Sequence, residues 1–204
     1  MARALRNGLV FGIGIFEKGK HKSKIGGVRT TPYAKWLKMI DRCNPDGEAQ
    51  TRQHTYIGCT IHPDFIKYQD FAEWLVNQPG SLDWHLDKDL IVPGNKVYGP
   101  DTCALVPREI NTLFLGGNGS LMLGVVKKLK RYVAKMANCG NHIYIGSYAT
   151  ELEAHVAYRL AKANVIECRI AEYPDIDCRI LKVLNDECKH LRDLTVPYTG
   201  RGCS

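Results

Sequence analysis

The spacing of apolar and polar residues divides this chain into stretches of different period. Residues 1–30 hold no sustained periodicity; they are rich in Gly, Lys and Arg, and only 9–16 suits a short strand. Helical spacing opens at Thr31-Pro32, with Thr as cap and Pro in the first turn. Trp36, Leu37, Met39 and Ile40 then share one core-facing side, and Asn44-Pro45-Asp46-Gly47 ends the helix with turn chemistry. Residues 45–62 are polar and read as a loop with a short strand near 55–61. Phe65, Tyr68, Phe71, Ala72 and Leu75 predict a second helix over 64–77, stopped by Pro79-Gly80.

From residue 84 strand patterns take over. Residues 85–91 and 103–106 read as strands around a tight loop at Pro93-Gly94-Asn95, and a helix starts near Pro107, giving a small ββα unit. The glycine-rich run 116–120 reads as a flexible linker and domain boundary. Beyond it, 121–128, 131–137 and 142–148 predict three short strands joined near Lys130 and at 138–141. Thr150 and Glu153 form a capping-box pattern, and Ala154, Ala157, Tyr158, Ala161 and Ala163 give the helix a small-residue face able to lie close on a sheet. A further amphipathic helix is expected at 176–191. The expected class is α+β. It comprises a basic arm (1–30), a ββα domain with two preceding helices (31–115), the linker (116–120), a three-stranded antiparallel sheet packed on one helix (121–166) and a C-terminal helical tail (167–204).

Charge sharpens this outline. The net charge is +7, distributed as +6 over 1–30, −3 over 31–120, +5 over 121–165 and −1 over 166–204. Two basic blocks flanking an acidic middle suit a polyanion gripped at both blocks, although the N-terminal lysines read equally well as solvated surface. No apolar run reaches the roughly 18 residues of a membrane span. The first residues carry too short an apolar stretch for a signal peptide, so no membrane partner and a cytoplasmic location are expected. The eight cysteines include no Cys-x-x-Cys pair, which favours reduced thiols. Cys43, His54, Cys59 and His62 form a loose cluster of zinc-ligand types, but their spacing is irregular for a zinc finger and small buried thiols are the plainer reading.

Alternation sorts the predicted sheet into two faces. Tyr132, Ala134 and Met136 share a side, as do Ile143 and Ile145, and the helix should cover Ala134, Met136, Ile143 and Ile145. The open face then shows Lys128, Arg131, Lys135, His142 and Tyr144. Cationic and aromatic side chains on a twisted sheet suit a DNA major groove, the cations meeting phosphates and Tyr144 packing on sugars or thymine methyls. A solvated sheet face is the plainer alternative.

The residues Gly124-Val125-Val126-Lys127, Arg131 to Met136, and His142 to Tyr158 with its corner Ile145-Gly146-Ser147-Tyr148 and its Glu153-Ala154 helix resemble the DNA-binding domain of the plant ethylene-response-factor (APETALA-two) class. Phage and bacterial homing-type endonucleases carry the same module. The resemblance implies contact with double-stranded DNA from Lys128, Lys135, His142 and Tyr144. Val126 and Ala137 stand where the plant family has arginines, which puts the plant target sequence in doubt. Residues 86–111 resemble the HNH nuclease core, with Asp87-Lys88, Asn95 and Asn111 at its signature positions. That resemblance implies Asp87 and Asn111 as oxygen ligands for Mg²⁺ or Mn²⁺, and Asn95 pinning the loop by hydrogen bonds to backbone. It puts Lys88 where the family has its general-base His. A solvated Lys is protonated at neutral pH, and the flanking Asp87 and Asp89 hold it so. His85, on the same strand face as Asp87, is a further ligand or a displaced base. Residues 33–166 are similar to a group of phage proteins that share this Lys.

These readings give one leading expectation, a phage-type, metal-dependent HNH-like DNA endonuclease steered by its C-terminal sheet. The alternatives are a catalytically inactive DNA-binding protein on the same scaffold, and a host-takeover protein that binds a bacterial protein through the acidic middle or tail.

Overall fold

The structure is a computed structural model that describes residues 5–6, 8–114, 121–138, 141–198 and 200. The expected linker at 116–120 lies outside the described residues. The protein is α+β and divides into two compact units, residues 1–105 and 106–203. Among the described residues no helix is long and apolar enough to cross a membrane.

The first unit opens with two antiparallel pairs, β1 (Leu5–Arg6) with β2 (Leu9–Val10) and β3 (Lys24–Ile25) with β4 (Val28–Arg29). Helix α1 (Thr31–Cys43) follows, then α2 (Glu48–Arg52), a 3-10 turn at His54–Tyr56, β5 (Thr60–Ile61), α3 (Pro63–Ile66) and α4 (Tyr68–Val76). Three short strands follow: β6 (His85–Asp87), β7 (Val97–Tyr98) and β8 (Ala104–Val106), the last residue of which opens the second unit. β5 pairs in parallel with β7, and β6 pairs with β8. Trp36, Met39 and Ile40 of α1 face Phe65, Tyr68, Phe71, Ala72 and Leu75 in one core, with Leu37 only partly buried. The Trp36 indole donates to the Phe65 carbonyl at 3.0 Å, which leaves no polar atom of the ring unanswered. Each large side chain buried to this degree contributes roughly 1.5–3 kcal/mol.

Several expectations need correction. Residues 9–16 are core rather than arm: Val10 is buried, and Phe11, Ile13 and Phe16 pack against the cluster. Gly14 lies so close to Trp36 that a Cβ there would stand 2.7 Å from the indole. The cap of α1 is Thr30, not Thr31, and its hydroxyl donates to the Lys22 carbonyl instead of capping the helix. The polar stretch 45–62 contains the short helix α2. The helix expected over 64–77 is broken at Lys67, because Ile15 slots in there: its N–H donates to Ile66 O at 2.9 Å and its carbonyl accepts from Tyr68 N at 3.0 Å.

The second unit starts with α5 (Arg108–Asn111) and a 3-10 turn at Thr112–Phe114. Pro107 caps α5 rather than occupying its first turn. Strands β9 (Val125–Lys128), β10 (Arg131–Asn138) and β11 (Asn141–Tyr148) form an antiparallel sheet with β10 central. Helix α6 (Glu151–Glu172) packs on one face of the sheet, and α7 (Cys178–Arg192) packs on α6. The Thr150/Glu153 capping box is present in both directions. The expected tail is thus a layer against α6, which runs past the expected limit of 166.

Gly124 fixes how closely the sheet and helix meet. Its φ is +79°, and a Cβ there would stand 2.1 Å from the Tyr158 ring. Gly124→Ala should destabilise the protein by roughly 2–4 kcal/mol, from the left-handed backbone and the clash together. Thr150→Ala should cost about 1 kcal/mol through the lost cap. Urea unfolding followed by circular dichroism measures both, and a Gly124→Ala protein as stable as wild type would contradict this packing.

Candidate nucleic-acid interface

Register decides which side chains share a face of the sheet. Arg131 pairs with Lys128, Lys135 with Tyr144, Ala137 with His142, and Val133 with both Val126 and Ser147. Directly paired residues point the same way. Lys128, Arg131, Lys135, His142 and Tyr144 therefore stand together on the face opposite α6, and all five are exposed. Val126 and Val133 give this face an apolar centre, with Val133 buried. Arg131 is braced across it: Nε donates to Ser147 Oγ at 2.9 Å and Nη2 to Ser147 O at 2.7 Å. Those two bonds fix the guanidinium in place, and its planar fork carries five N–H donors in all. Ser147 is a positioning group that sequence reasoning missed, although alternation from Tyr144 fails to reach it for a visible reason. The register shifts at Ala134/Lys135, and Ile145 is the residue left without a partner. Ile145 thus does not sit beside Ile143 as a paired inner residue, and Ile143 itself is 38% exposed.

Two of the seven cations counted in 121–165 are not on any surface. Arg159 and Lys162 are 3% and 4% exposed. Arg159 donates to the carbonyls of His190 and Leu191 in the last turn of α7, of Asp193 at its C-cap and of Val196 beyond it. Lys162 Nζ donates to Tyr198 Oη at 2.9 Å, and that phenol donates in turn to Glu187 Oε1 at 2.5 Å. Burial first, then the bond to the Glu187 carboxylate, pushes the Tyr198 phenol up.

The loop after β6 is equally tied up. Asp87 Oδ1 accepts from Asp89 N at 3.0 Å and Leu90 N at 2.7 Å, and these bonds turn the chain and end at Asp87 the strand expected over 85–91. Burial, and then the Asp89 charge, raises the Asp87 carboxyl above the usual range. Lys88 is 5% exposed; its ammonium donates to Asp89 Oδ2 and Asn95 O, both at 2.9 Å. Asn95 donates to the carbonyls of Lys88 and Val97, both at 2.7 Å, and accepts from Val97 N. The structure thus brings together Asp87, Lys88 and Asn95. His85 is exposed at the start of β6, and Asn111 ends α5 in the second unit.

Among the zinc-type residues, Cys43 and Cys59 are buried while His54 and His62 are exposed. The His62 ring instead accepts from Asp64 N at the start of α3. Among the described residues no group of three or more His, Cys, Asp or Glu side chains is arranged to hold a metal ion. No family model, curated protein or solved structure matches the chain.

Two outcomes are expected. Lys88→Met should cost about 2–4 kcal/mol by leaving Asp89 and the Asn95 carbonyl without their buried donor, read as a lower urea midpoint. An unchanged midpoint would contradict the part assigned to Lys88. Burial pushes the Cys43 and Cys103 thiols up to about 12. At pH 8 a disulfide reagent should therefore label the exposed Cys168 and Cys178 quickly, and leave Cys43 and Cys103 intact until denaturant is added. Peptide mass mapping reads the order, and rapid native labelling of Cys43 would contradict it.

Proposed function

We propose that this chain binds double-stranded DNA through the open face of β9–β11 and does not cleave it. The observation that carries the reading is the strand register, which groups Lys128, Arg131, Lys135, His142 and Tyr144 on one exposed face. α6 covers the inner face, and the five side chains of the other face stay exposed. Lys128 and Lys135 supply mobile charge for phosphates, and the braced Arg131 supplies a planar fork of fixed orientation. Tyr144, 66% exposed and paired with Lys135, offers a flat apolar surface for sugars and thymine methyls. A sheet of this width fits the major groove. The likeness of the segment to the ethylene-response-factor type of domain points the same way.

The non-cleaving form is favoured by Lys88. In the HNH-like reading this position activates water, which needs a base within reach of solvent. Lys88 instead donates to Asp89 and to a loop carbonyl, and it is buried. The side chains of this loop answer one another: an ammonium neutralises Asp89, and two backbone amides hold Asp87. A second reading, the metal-dependent endonuclease, draws on the exposed His85 that opens the strand ending in Asp87, and on Asn95 clamping the loop.

Gel-shift and nicking assays on supercoiled and linear DNA, with and without Mg²⁺ or Mn²⁺, separate the two. Shifted, uncut DNA in every lane is expected. Metal-dependent cutting that disappears in Asp87→Ala would replace the non-cleaving reading by the nuclease. Lys128→Ala with Lys135→Ala should weaken binding and lower the slope of log affinity against log salt by about 2, through counterions no longer released. An unchanged slope would contradict the choice of face.

A further inference from the structure

Residues 18–30 carry Lys18, Lys20, Lys22, Lys24 and Arg29 and no acidic residue. All five cations are exposed. Within this stretch β3 and β4 form a hairpin with a two-residue turn, Lys24 opposite Arg29 and Ile25 opposite Val28. Gly26 and Gly27 make the turn at φ +56° and +81°, left-handed conformations that suit a tight hairpin. Alternation sets Ile25 and Val28 on one face of the tip and the two cations on the other. Nothing covers the apolar pair: Ile25 is 67% and Val28 71% exposed.

The base of the hairpin is held firmly. Thr30 N donates to Ser23 O, and the hydroxyls of Thr30 and Tyr68 both donate to Lys22 O. Gln69 accepts from His21 N and donates to the carbonyls of Glu17 and His21. Glu73 pairs with Lys20 and His21, and those bonds hold its carboxyl down to about 2, so the clamp stays ionised. A stem bolted to α4 thus carries a bare tip. A single exposed apolar residue is ordinary. Two that face each other at the end of an anchored stem, with cations on the other face of the same hairpin, form a shape with an obvious complement: an anionic surface with an apolar interior.

We infer that the β3–β4 tip is a wedge for double-stranded DNA, with Ile25 and Val28 pressed into the minor groove against a base step and Lys22, Lys24 and Arg29 on the flanking phosphates. The inference rests on the DNA-binding reading above and adds a second contact, in the first unit. Apolar side chains pushed against a base step unstack it and bend the duplex, and lysines and arginines beside them neutralise phosphates. The side-chain-free turn lets the backbone follow the groove floor closely.

The test uses the full chain and a short duplex dyed at both ends, so that energy transfer reports bending. Wild type should raise the transfer on binding. Ile25→Ser with Val28→Ser should abolish the rise and weaken binding by about tenfold with the salt slope unchanged, because an apolar contact releases no counterions. Lys24→Ala with Arg29→Ala should instead lower the slope by about 2. The substituted tip residues are exposed, so the unfolding midpoints should stay at the wild-type value and serve as the control for folding. A serine variant that binds and bends as wild type does would overturn the wedge while leaving the sheet reading standing. So would wild-type protein that sediments with anionic phosphatidylserine vesicles through Ile25 and Val28 but leaves the duplex straight. Wild-type protein that fails to shift DNA at low salt would overturn the sheet reading, and the wedge with it.

Discussion

Arg159 lies on α6 with its guanidinium out of water, and the end of α7 and the segment after it are arranged to meet it. A cation in that position has to be answered by oxygen, since an unpaired buried charge costs more than most folds can supply. Four carbonyls do so, three of them at the point where α7 runs out of intrahelical donors and its dipole is negative. One side chain thus ends α7, fixes the 193–196 turn and holds both against the back of the sheet's helix. Lys162, one turn on, repeats the solution with the Tyr198 phenol and the Glu187 carboxylate. The first unit does the same on a smaller scale, where Lys88 joins Asp89 to the carbonyl of Asn95 and closes its own loop.

This constraint separates the cations that build the protein from those that stay exposed. Arg159, Lys162 and Lys88 are used up inside. Lys128, Arg131 and Lys135 are not, and neither are Lys24 and Arg29 at the hairpin tip; these stand on elements whose other face or base is firmly held. The sheet owes its rigidity to the inner layer: Gly124 lets Tyr158 close against the backbone, and the capping box starts α6 at a fixed residue. A surface held this way loses little freedom when it meets a ligand, which is what a contact made of long basic side chains needs, since those side chains already give up much of theirs.

What the sequence made legible follows from how local each interaction is. The capping box spans four residues and could be read directly. The open face of the sheet could be read because alternation is a property of each strand alone. The part of Asn95 as a loop clamp comes from the resemblance to the HNH core, and its partners do lie within seven residues. Features with distant causes were hidden. Nothing within 64–77 marks the break at Lys67, since the group that makes it is Ile15, whose backbone takes both bonds. The unpaired Ile145 obeys the period of its own strand and departs only in register with β10. Arg159 and Lys162 look like surface charge on a helix of small residues until α7 and Tyr198 are folded against them. His62 has the type of a metal ligand, whereas its ring accepts from the Asp64 amide in the first turn of α3.

Lys88 shows why a signature position is weaker grounds for a reaction than the surroundings of its side chain. A general base must be able to lose its proton near neutral pH and must reach water. Here the amine is buried and donates to the Asp89 carboxylate and the Asn95 carbonyl, both at 2.9 Å. The same contacts anchor the loop to Asn95, so freeing the amine for chemistry would mean unmaking the loop that presents it. Asp87 is committed in a similar way, its Oδ1 held by two amides that turn the chain out of β6. In a frame built like this the loop's polar groups are structural, each holding the turn that follows β6.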